Sequence, residues 1–233
     1  GDDGVIGYVP ADNDASDIDL IASLSTTSAG GADTITTGAG NDIVIGGRFG
    51  DTIITGASDN LVIGDSGKIT AATADTVRHL SGIPLTLGVI ETIEPADGGD
   101  DTITTGTGYD RIFGGIGNDV IVANDGETTT VADAGNLVVG DNGRAQYDGV
   151  DWNVGTLALV ETTAPASGSG NDRITTGRGI DIILGGDNDA VWPLPVLVSG
   201  TTRTIVGDLI AASDGASSAC CVYIQPTVAR SPR

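Results

Sequence analysis

Aspartate recurs every nine residues in this chain, with an aliphatic residue two places after each one. Asp33, Asp42 and Asp51 keep this spacing, Asn60 holds the next place, and Ile35, Val44, Ile53 and Val62 follow them. The register returns at Asp101, Asp110 and Asp119, followed by Ile103, Ile112 and Ile121, and again at Asp172 and Asp181, followed by Ile174 and Ile183. Glycine-rich turn formers fill the space between, as in Thr37-Gly38-Ala39-Gly40-Asn41 and Gly46-Gly47-Arg48-Phe49-Gly50. A nine-residue period leaves room for six turn residues and three strand residues, so two periods close one coil. The residue two beyond each Asp points inward and its two neighbours point outward. One nonapeptide cannot bury its aliphatic side chain alone, so coils must stack. The expected fold is all-β: a parallel β-roll, or solenoid, whose two short sheets share a narrow core of Ile and Val.

A longer period of roughly 70 residues encloses the short one, since Asp33, Asp101 and Asp172 open successive blocks. Each of the first two blocks ends on an apolar run and a Gly-Asp-x-Gly tag: Leu61-Val62-Ile63-Gly64-Asp65-Ser66-Gly67 and Leu137-Val138-Val139-Gly140-Asp141-Asn142-Gly143. Gly1-Asp2-Asp3-Gly4 reads as the end of a preceding copy, and Ile205-Val206-Gly207-Asp208 as a decayed tag. The chain therefore divides into 1–32 (the end of a copy and its insert), 33–100 and 101–171 (two copies with inserts), 172–208 (a degenerate copy) and 209–233 (a divergent cap or tail). Runs such as Leu87–Ile93 and Leu157–Thr163 mark the inserts as strand-forming. Whether the inserts continue the roll or fold beside it is left open by the pattern. The outward places on the second and fourth rungs, Ile43, Ile45, Leu61 and Ile63, form an apolar face that insert strands or a neighbouring chain must cover.

Charge narrows the function. Asp and Glu number 32 against ten Lys and Arg, a net charge of −22. That balance excludes nucleic acid and anionic membranes as partners, because both require clusters of Lys and Arg. It also opposes compaction unless a cation sits among the carboxylates. Short carboxylates at turns suit hard divalent cations, calcium above all. No run is long and apolar enough for a membrane-spanning helix. One histidine, His79, and two adjacent cysteines, Cys220 and Cys221, do not make a zinc site. Neither does His79 make a catalytic triad without a Gly-x-Ser-x-Gly elbow. Asp12-Asn13-Asp14-Ala15-Ser16-Asp17 lacks the glycine and the terminal Glu of an EF-hand loop. The pairs Thr34/Thr36 and Thr102/Thr104 would make a flat ice-binding array only on consecutive rungs; spaced once per long repeat, they read as exposed β-formers.

The nonapeptide resembles the Gly-Gly-x-Gly-x-Asp-x-apolar-x motif of RTX, or haemolysin-type, calcium-binding repeats. Gly114-Gly115-Ile116-Gly117-Asn118-Asp119-Val120-Ile121-Val122 agrees at every defined place, and Thr105–Phe113 differs only at its first glycine. The similarity covers about 33–63, 101–122 and 172–186. Phe49 and Ser58 depart from it at glycine places, Asn60 departs at an Asp place, and the register is lost after Asp119 and after Gly186.

Residues 18 apart stack on one side of such a roll, which pairs Asp33 with Asp51 and Asp101 with Asp119 as the two best calcium sites. Asp42 stacks on Asn60, a weaker amide ligand, while Asp110 and Asp181 lack evident in-register partners; with Asp172 these complete the candidate metal residues. The competing reading is that each Asp merely caps its own turn. The resemblance implies a calcium-binding module of a secreted or cell-surface protein, folding as it binds Ca2+, in contact with neighbouring repeats or copies of itself. Its role would be non-enzymatic, as a spacer, adhesin or matrix element. The alternatives are the calcium-binding part of an RTX extracellular enzyme whose catalytic domain lies elsewhere, and a ligand-binding surface on the roll.

Overall fold

Three-residue strands form at the rungs up to residue 139, and longer strands form at the later rungs and in the inserts. The computed structural model describes residues 1–8, 15–24, 30–72, 82–128, 134–147, 157–164, 170–179, 181–187, 190–193 and 209–213. Among them every regular element is a strand. An antiparallel pair opens the chain, β1 (Gly4–Gly7) and β2 (Leu20–Ser23), followed by rungs β3 (Thr34–Thr36), β4 (Ile43–Ile45), β5 (Thr52–Ile54) and β6 (Leu61–Ile63). A second antiparallel pair, β7 (Gly67–Ala71) and β8 (Leu87–Thr92), precedes rungs β9 (Thr102–Thr104), β10 (Arg111–Phe113), β11 (Val120–Val122) and β12 (Leu137–Val139). A third pair, β13 (Gly143–Tyr147) and β14 (Leu157–Thr162), leads to β15 (Arg173–Gly177), β16 (Ile182–Asp187), β17 (Ala190–Pro193) and β18 (Leu209–Ser213).

The rungs alternate between two parallel sheets, β3-β5-β9-β11-β15-β17 and β4-β6-β10-β12-β16-β18. The centres of the rungs from β4 to β6, β9 to β12, β15 and β16 face inward. Ile53, Ile103, Ile121 and Ile174 from one sheet meet Val44, Val62, Ile112, Val138 and Ile183 from the other in a single core. Each such Ile adds about 1.5–3 kcal/mol on full burial, and none can do so without coils on both sides.

The inserts fold beside the roll. Their antiparallel pairs join edge to edge as a third sheet, β1-β2-β7-β8-β13-β14. This sheet covers the apolar outer face predicted from Ile43, Ile45, Leu61 and Ile63: Leu61, Ile63, Phe113, Leu137 and Val139 are buried against Ile69, Leu87, Ile90, Ala145 and Tyr147. Arg111 lies buried in this second core, with Nε donating to the Tyr147 hydroxyl at 2.8 Å and the guanidinium 4.6 Å from the Tyr109 ring.

One sequence expectation changes. Because each insert leaves the roll and returns to it, Thr34, Thr52 and Thr102 stand side by side on three consecutive rungs, with Thr36, Ile54 and Thr104 in the next row. The Thr-x-Thr pairs are thus two rungs apart, not a long repeat apart. The segment expected as cap or tail contributes β18, which pairs in parallel with β16. His79, Cys220, Cys221, Asp12 to Asp14 and the Ile205–Asp208 tag lie outside the described residues.

Candidate metal centre

Stacking brings the register aspartates into two ladders, one at each end of the flattened coils. In the first, Asp33 N–H donates to Asp51 Oδ1 (2.7 Å), Asp51 N–H to Asp101 Oδ1 (2.7 Å), Asp101 N–H to Asp119 Oδ1 (2.8 Å) and Asp119 N–H to Asp172 Oδ1 (2.9 Å). In the second, Asp42 N–H donates to Asn60 Oδ1 (3.1 Å), Asn60 N–H to Asp110 Oδ1 (2.8 Å), Asp110 N–H to Asn136 Oδ1 (3.0 Å) and Asn136 N–H to Asp181 Oδ1 (2.7 Å). The expected pairs Asp33–Asp51 and Asp101–Asp119 are both present, but they are parts of one unbroken row of five. Asp110 and Asp181 are not isolated either. Asn136 falls between them, because the step from Asp110 is 26 residues and not 18. The side chains do cap backbone N–H groups, yet those of the preceding coil and not of their own turn.

One carboxylate oxygen is thus spent on the neighbouring coil. Oδ2 is buried without a hydrogen-bond partner in Asp42, Asp51, Asp101 and Asp119, the last three of which place Oδ1 on the neighbouring coil. In those three Oδ2 lies against Gly46, Gly64 and Gly114, the first glycine of each turn, where a Cβ would collide with it. Asp51, Asp101 and Asp119 are at most 2% exposed. Burial, and secondarily the neighbouring carboxylate, raises Asp51 to about 6 and Asp101 to about 8, and pushes Asp119 well above the usual carboxylate range. Buried anions aimed at backbone without a counter-charge are unfavourable, so the arrangement calls for a cation.

The donor set fits calcium, which takes several hard oxygens, carbonyl and carboxylate, in adaptable geometry. Among the described residues no three His, Cys, Asp or Glu side chains converge as a cage. A bound ion would draw one carboxylate oxygen from a coil and the remainder from turn carbonyls.

A family model for the RTX calcium-binding nonapeptide repeat matches in four copies, over residues 28–53, 45–68, 95–129 and 167–192. Those segments carry RTX repeats. Repeats of this kind bind Ca2+, and the roll is the scaffold on which this chain presents them. No curated protein and no solved structure matches the chain.

Residues beyond the RTX motif complete the junctions. Asp2, Asp65 and Asp141, the tag aspartates, accept N–H groups of Gly31 (3.2 Å), Gly99 (3.0 Å) and Gly170 (3.2 Å), where each insert returns to the roll. Asp2 and Asp65 also accept from Arg48 (2.8 Å) and Ile116 (2.5 Å) on the next coil. The tags are visible in the sequence as repeats, but their role is not. Asn136 could have been found by aligning Asn136-Leu137-Val138-Val139-Gly140-Asp141 with Asn60-Leu61-Val62-Ile63-Gly64-Asp65.

Proposed function

We propose that this chain is a calcium-stabilised structural segment of an extracellular, secreted or surface-attached protein, acting as a spacer, adhesin stalk or matrix element and not as an enzyme. The observation that carries this reading is the aspartate ladder, in which the groups that join one coil to the next also confront each other as buried anions. Calcium neutralises them, repulsion falls and the turns lock, so binding and folding become one event. Extracellular calcium modules commonly bind at about 10⁻⁴–10⁻³ M, which suits a chain that stays loose where calcium is scarce and orders where it is abundant. Asp33, Asp51, Asp101, Asp119 and Asp172 are the residues assigned to the ions. Segments 33–100 and 101–171 are the units that repeat, each pairing two coils with one inserted hairpin.

The test is a calcium titration of the EDTA-stripped chain followed by far-UV circular dichroism, with magnesium as the control. A coil-to-β transition driven by calcium and not by magnesium supports the proposal, and Asp51→Ala and Asp119→Ala should move its midpoint to higher calcium. A chain fully β-structured in EDTA and indifferent to calcium would overturn it.

A further inference from the structure

The two ladders differ in one respect. One end of the roll reads Asp33, Asp51, Asp101, Asp119, Asp172, and the other reads Asp42, Asn60, Asp110, Asn136, Asp181. Asparagine thus alternates with aspartate at the second end, and both asparagines are fully buried.

The amide oxygens behave as the carboxylates do, since Asn60 Oδ1 and Asn136 Oδ1 each accept the N–H of the preceding coil. The amide nitrogens occupy the place of the second carboxylate oxygen. Asn60 Nδ2 donates to the carbonyls of Gly56 (3.0 Å) and Ser58 (2.8 Å) in its own turn, and to Asp110 Oδ1 at 3.0 Å. Asn136 Nδ2 donates to the Ala123 carbonyl at 3.0 Å and reaches that of Thr176 at 3.5 Å. An aspartate in either position would point an anionic oxygen at those carbonyls, a contact that only a cation between them relieves. The amide brings N–H donors to the same oxygens and carries no charge. Asn60, read from the sequence as a weaker oxygen ligand, places its amide nitrogen against the turn carbonyls where an aspartate would place its second oxygen.

We propose that Asn60 and Asn136 are built-in substitutes for calcium. Each closes its junction between coils without an ion, so the all-aspartate end is the calcium-dependent one and the mixed end holds together at lower calcium. The inference rests on the calcium-binding reading above and deepens it, because it states which turns load and which do not.

The test uses the full chain and its Asn60→Asp and Asn136→Asp variants. Bound calcium is counted by equilibrium dialysis with atomic emission, and Tm is measured in EDTA and in calcium. Each substitution should add about one ion per chain, lower Tm in EDTA and leave Tm in saturating calcium close to the parent value. The reciprocal variant Asp119→Asn should lose about one ion and raise Tm in EDTA; it keeps the inference testable if the first two variants fail to fold. Unchanged calcium counts in variants of a parent that does bind calcium overturn this inference alone. A parent that binds none overturns the calcium reading itself.

Discussion

The carboxylate of Asp65 accepts the backbone N–H of Ile116, fifty-one residues downstream, at 2.5 Å, while its other oxygen accepts from Gly99 at 3.0 Å. One side chain thereby fastens the returning arm of an inserted hairpin to the coil that follows. The latch depends on Gly115, which has φ 115° and whose missing Cβ would run into Asp65 Oδ2. The same relation links Asp2 to Gly47, so a coil that carries an insert places Asp where its successor must place Gly. In saturating calcium, Gly115→Ala should lower stability by roughly 2–4 kcal/mol, combining backbone strain with a clash. Asp65→Ala should lower it by about 1–3 kcal/mol for each N–H left without an acceptor. Urea unfolding of the two variants checks both, and wild-type midpoints would show that the latch is not needed.

Two turns carry residues that their backbone disfavours. Phe49 has φ 74° and Ser58 has φ 114°, each at the fourth turn place, where Gly40, Gly117 and Gly179 also have positive φ. Phe49 is 41% exposed, so its removal forfeits little burial. Phe49→Gly and Ser58→Gly are each expected to stabilise the folded roll by about 1 kcal/mol. Thermal melts in calcium provide the measurement, and a lower Tm in both variants would contradict it.

The roll itself is legible from the chain, because a nine-residue period with one inward aliphatic residue admits few other folds. The apolar outer face was equally readable, since Ile43, Ile45, Leu61 and Ile63 could not remain in water. Spacing counts residues and not distance, however, and there the reading fails. Asp51 and Asp101 are neighbours in space although the Asp51 N–H reaches across 50 residues, and Asn136 returns to register only after an irregular step. Asp65 looks like part of a tag because its partners lie on segments that only folding brings together.

The hairpin layer is pinned to the roll at Arg111. This cation is 5% exposed and donates Nε–H to Tyr147 Oη at 2.8 Å. Burial raises the Tyr147 phenol above its ordinary range, so the hydroxyl stays neutral and accepts the bond. Tyr147→Phe removes that acceptor and should lower stability by about 1.5–3 kcal/mol, the range for a hydrogen bond to a charged group. Amide exchange should quicken in β13 and β14 more than in β9 and β11. Equal acceleration in all four strands would mean that the hairpin sheet and the roll open as one unit.

Protons and calcium compete for the same carboxylates, and the sign of the pH dependence follows. Unfolded, aspartates titrate near 3.8; in the folded calcium-free chain the ladder residues Asp51 and Asp101 titrate at about 6 and about 8, and the latch residue Asp65, outside the ladder, at about 9, all raised chiefly by burial. Between those limits the folded chain holds protons that the unfolded chain has released, so stability in EDTA falls as pH rises through that window. Calcium requires the ionised groups, so its stabilising effect grows over the same range. Melts at pH 5, 6.5 and 8.5 should therefore show Tm in EDTA declining while the increment from calcium widens. A Tm in EDTA that climbs steadily with pH would mean that the ladder aspartates are ionised without penalty, and the case for a cation among them would fall with it.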